Sequence, residues 1–79
     1  SLTLPQAESP SHFITMGFDE DLDDAATEAL RQMIILITQR TNLSKSQAYS
    51  LCSLAADLRV TQIVNGNKGV HVMLPKTVL

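Results

Sequence analysis

Met33-Ile34-Ile35-Leu36-Ile37 is the segment that most restricts how this chain can fold. It lies in the C-terminal half of a helical pattern running from about Glu20 to Thr41, and it is apolar on every side of that helix. A helix that is apolar all round is buried all round. Earlier in the pattern the apolar residues keep to one stripe. Leu22, Ala26, Ala29, Leu30, Met33 and Ile37 recur at helical spacing, with Arg31 and Gln32 off it. The five-residue segment therefore demands partners on several sides. A chain of 79 residues holds one small domain at most, and such a domain covers only a modest fraction of its surface. The chain is expected to associate with itself or with another segment, with Ile34 or Ile35 turned outward at the contact.

The second helix has a clear start. Ser44 can cap the backbone N–H three residues on, and Gln47 can reach back, which makes a capping box. Asn42-Leu43 is a short connection, so the two helices should form an antiparallel hairpin. Ala48, Leu51, Cys52, Ala55, Leu58 and Ile63 supply an apolar face, and Ser46, Ser50, Ser53 and Asp57 a narrow polar strip. Val60 to Val64 is rich in β-branched residues and would also suit a strand. Because Ile63 continues the apolar stripe, the helix is expected to reach about Val64 and to break at Asn65-Gly66-Asn67. In that phase Arg59 falls inside the apolar arc, near Cys52 and Ala55. A guanidinium there must snorkel, pair with a carboxylate or bind a ligand.

Two strands flank the hairpin. His12 to Phe18 alternates, with His12, Ile14, Met16 and Phe18 on one side, and Gly17 suggests a close backbone approach. Gly69 to Leu74 alternates Val70, Val72 and Leu74 against His71 and Met73, and Pro75 stops it. Residues 1–11, with Pro5 and Pro10, read as an extended arm before a small α+β domain over residues 12–79. The expected fold is a β-α-α-β unit, an antiparallel helical hairpin on a small antiparallel sheet. Two strands alone are marginal in water, so the sheet should be completed by another segment or subunit.

Composition narrows the function. Net charge is −2 and the six basic residues are scattered singly, which argues against nucleic acid as a partner. There is no run of about eighteen apolar residues to span a membrane, and no signal-peptide pattern at the start. The single cysteine permits no internal disulfide, and Cys52 on an apolar helix face suits a reducing compartment. These features point to the cytoplasm.

Residues that could carry chemistry are few. The acidic run Asp19-Glu20-Asp21-Leu22-Asp23-Asp24 lacks the glycine and glutamate of a calcium loop. It reads instead as a helix N-terminus capped by Asp19 or Asp21, where carboxylates offset the positive end of the helix dipole. His12 and His71 each lack a second ligand at metal spacing. A Cys52–His71 nucleophile pair is conceivable, but Cys52 reads as core. No catalytic residue and no metal ligand is assigned. The candidates for a site or an interface are Arg59, His71 and Asp57.

Two blocks carry a resemblance. DLRVTQIVNGNKGVHVMLPK, residues 57–76, follows an alanine- and leucine-rich helix, and ITMGFDEDLDDAATEAL, residues 14–30, precedes it. Together they resemble the C-terminal part of the acetamidase/formamidase family, over roughly Phe13 to Lys76. The resemblance implies a parent enzyme that hydrolyses small amides such as formamide or acetamide to the carboxylate and ammonia. Family members are several times longer, and their His/Asp/Glu-rich block lies upstream of the matching region. The resemblance therefore implies a structural and assembly portion, inactive alone, that binds no cofactor itself. It leaves room for a divalent metal in the full-length family. The partners it implies are an upstream catalytic part, identical subunits, or both. The competing reading is a stand-alone, non-catalytic oligomerisation or binding module of the same fold.

Overall fold

The computed structural model describes residues 6–64 and 67–79. In chain order its elements are β1 (Gln6–Glu8), β2 (His12–Asp19), α1 (Leu22–Arg40), α2 (Lys45–Ala55), β3 (Asp57–Val64) and β4 (Asn67–Pro75), followed by a 3-10 turn at Lys76–Val78. The strands form one antiparallel sheet in the order β1-β2-β4-β3. The α+β class and the antiparallel pairing of the two expected strands hold. Phe13 lies opposite Leu74, Thr15 opposite Val72 and Gly17 opposite Val70. The chain contributes two more strands than expected. Part of the N-terminal arm is β1, on one edge, and β3 forms the other.

Both helix starts follow from their caps. Asp21 sits in extended backbone, and its Oδ1 accepts the N–H groups of Asp23 at 2.8 Å and Asp24 at 3.3 Å. The acidic run is thus the N-terminus of α1. At α2 the Gln47 N–H donates to Ser44 Oγ at 3.1 Å, and the Ser44 N–H donates to Gln47 Oε1 at 2.9 Å. The capping box is complete.

The end of α2 departs from expectation. The helix stops at Ala55, Ala56 is extended, and Asp57–Val64 is a strand rather than more helix. Two causes act together. Val60 and its β-branched neighbours favour extended backbone, and β3 pairs with β4 from Asp57↔Met73 to Val64↔Asn67, with an irregularity between Val60 and Gln62. A helix there would leave that side of β4 without hydrogen bonds. The expected break at Asn65-Gly66 lies outside the described residues.

The core lies between the helices and one sheet face. Phe13, Val70, Val72 and Leu74 come from the sheet, Ala25, Ala29, Met33, Leu36 and Ile37 from α1, and Ala48 and Cys52 from α2. Gly17 sets the spacing of α1 over β2. A Cβ there would stand 2.1 Å from the Ala25 carbonyl oxygen and 2.8 Å from the Ala29 nitrogen. Beside it, buried Thr15 donates its hydroxyl to the Ala29 carbonyl at 2.7 Å. The close approach of helix to strand turns α1 about its axis relative to the expected stripe. Gln32, expected off that stripe, is fully buried, while Leu22 is 40% exposed. Gln32 Nε2 donates to Glu28 Oε1 at 2.8 Å, which answers half of its amide. In the all-apolar segment, Met33, Leu36 and Ile37 are buried, and Ile34 and Ile35 are half-exposed.

A latch joins β1, the end of α1 and the 3-10 turn. Lys76 hydrogen-bonds Glu8 of β1, and Arg40 pairs with the same carboxylate at 3.7 Å. Both cations also stand over the Phe13 ring, Arg40 at 4.8 Å and Lys76 at 5.2 Å from its centre. The Lys76 hydrogen bond, with the nearby charges, holds the Glu8 carboxyl below its ordinary range.

Candidate functional site

The helices cover one face of the sheet, and no described residue packs over the other. Strand alternation places His12, Ile14 and Met16 of β2, Asp57 and Arg59 of β3, and His71 and Met73 of β4 on this open face. Two adjacent rows cross it. One runs Met16–His71–Arg59 and the next Ile14–Met73–Asp57. Arg59 donates from Nε and from its terminal nitrogen to Asp57 Oδ2, each at 2.9 Å. The three residues singled out in the sequence thus meet in one patch.

The patch corrects the reason for choosing Arg59. Its guanidinium is not enclosed by an apolar helix face. It lies on a strand, with its side chain 64% exposed, and pairs along the strand with an equally open Asp57. A solvated pair of this kind contributes little stability. The useful signal in the sequence was the β-branched residues from Val60 to Val64, which suit a strand.

Other arrangements considered from the sequence do not form. His12 lies opposite Pro75 and His71 opposite Met16. That separates the histidines by four residues along the sheet, roughly 13 Å at strand rise. His12 Nδ1 instead lies 2.7 Å from Ser11 Oγ. Cys52 is buried among core residues on the helix side of the sheet, and His71 faces the other way, so they cannot act as a nucleophile pair. Burial also pushes the Cys52 thiol pKa up, which disfavours the thiolate. Among the described residues, no group of three or more His, Cys, Asp or Glu side chains is placed to hold a metal ion.

Two concavities lie on the helix side. One, of about 550 Å³, is lined by Met16, Gly17, Phe18 and Asp19 of β2 and by Asp24, Thr27 and Glu28 of α1. Its carboxylates are largely committed. Asp19 accepts the Asp21 N–H, and Glu28 holds Arg31 and Gln32. Arg31 is the main cause that keeps the Glu28 carboxyl below its usual range. The second, of about 570 Å³, runs between α1 and α2 over Ile34, Ile35 and Tyr49, with Arg31, Lys45 and Ser46. Neither is lined by a histidine or a cysteine. The open face offers hydrogen-bond donors and apolar area, which suits packing against another surface.

Comparison with known proteins follows the same line. No protein-family model matches the chain, and no curated protein matches it. Solved structures do. An acetamidase from Bacillus halodurans superposes with a TM-score of 0.86 at 39% identity, over 95% of this chain and 25% of that one. An acetamidase from Yersinia enterocolitica gives a TM-score of 0.91 at 26% identity, over 99% of this chain and 24% of that one. A predicted acetamidase/formamidase from the thermophile Thermoanaerobacter tengcongensis gives 0.83 at 26% identity, over 94% and 25%. The chain spans about a quarter of the length of these structures. No helix among the described residues is long and apolar enough to cross a membrane.

Proposed function

We propose that this chain, whose fold matches a quarter of the acetamidase/formamidase structures, is the structural and assembly portion of an amide hydrolase acting on small amides. The substrates would be of the formamide or acetamide class, cleaved to the carboxylate and ammonia in the cytoplasm. The observation that carries the reading is the match to acetamidases over nearly all of this chain and a quarter of theirs. Two features of the chain fit the assembly role. Its described residues hold no group of three or more His, Cys, Asp or Glu side chains placed for a metal ion, and burial disfavours the Cys52 thiolate. Its sheet has an apolar, partly charged face over which no described residue packs. Amide hydrolysis needs an activated water or nucleophile and a group to stabilise the developing oxyanion. In this reading both come from the remaining three-quarters of such an enzyme, including any divalent metal, and no described residue here serves as its ligand.

Two experiments test the proposal. The purified chain should release no ammonia from formamide or acetamide, with or without added divalent metal. Metal-dependent turnover that disappears on changing His71 or His12 would overturn it. In the second, this chain replaces the matching quarter of the Bacillus halodurans acetamidase. The chimera should assemble and hydrolyse acetamide. A chimera that folds and assembles but is inactive would place catalytic residues inside this quarter and reverse the assignment.

A further inference from the structure

We draw no further inference here: the strongest candidate, the concavity between the end of β2 and the first turns of α1, where Glu28 accepts from the buried Gln32 amide, is an acidic cluster at which no described group points to a ligand, and nothing in the structure shows what covers it.

Discussion

At the scale of single residues, burial and close approach decide which substitutions matter. Gly17 is the sharpest case. The atoms a Cβ would strike are helix backbone, which cannot turn aside as a side chain can. Gly17→Ala should therefore cost at least the ~1–3 kcal/mol of ordinary overpacking, seen as a large drop in denaturation midpoint. Thr15→Val, nearly the same shape, should cost about 1 kcal/mol, because it deletes one buried hydrogen bond but leaves the Ala29 carbonyl its place in the helix ladder. Equal effects at the two sites would mean that α1 can move off β2. Arg59→Ala should change the stability of dilute protein by no more than about 0.5 kcal/mol, as for an exposed ion pair. A loss of several kcal/mol would return Arg59 to the buried setting that a longer α2 would have given it.

At the scale of elements, the two helices are held in different ways. α1 buries Ala25, Ala29, Met33, Leu36 and Ile37, so packing dominates its stability. α2 is eleven residues long and buries only Ala48 and Cys52, so its start carries more of the burden. Ser44→Ala removes half of a complete capping box and should cost about 1 kcal/mol. The loss should appear as faster amide exchange in the first turn of α2, ahead of the core strands. Uniform exchange across both helices would show that α2 does not open separately. Both helix starts, and the Ala29, Met33 and Ile37 part of the α1 stripe, were legible in the sequence, because capping and periodicity are local. Buried Gln32 was not, since a glutamine gives no local sign of facing the core, and only the depth to which Gly17 admits α1 brings it there.

At the scale of the molecule, the Glu8 latch ties β1, the end of α1 and the C-terminal turn together. Its pH dependence has a definite sign. The folded-state pKa of Glu8 lies below its ordinary 4.5, chiefly through the Lys76 hydrogen bond. Glu28 is lowered too, chiefly by Arg31. Folding thus favours both carboxylates in their ionised form. The stabilisation is fully present above pH 4.5, the unfolded value, and is lost as the pH falls through the lower folded values. Thermal melts should fall in acid below that point. Lys76→Met should flatten the part of the fall due to Glu8. An unchanged acid limb in Lys76→Met would show that the latch is not coupled to folding.

The sequence by itself determined the α+β class, the two capped helix starts, the alternation that sorts β2 and β4 into a core face and an open face, and the resemblance carried by residues 14–30 and 57–76. These are short-range matters of capping, periodicity and motif. The tertiary structure decided where α2 ends and what residues 57–64 become. Helical and extended backbone are both locally acceptable there, since Ile63 extends the apolar stripe of a helix while Val60 to Val64 favour a strand. The free edge of β4 settles the choice, because only a strand can satisfy its hydrogen bonds. That one long-range pairing also moved Arg59 from a supposed helix face to the open face of the sheet, and set it beside Asp57 and across from His71.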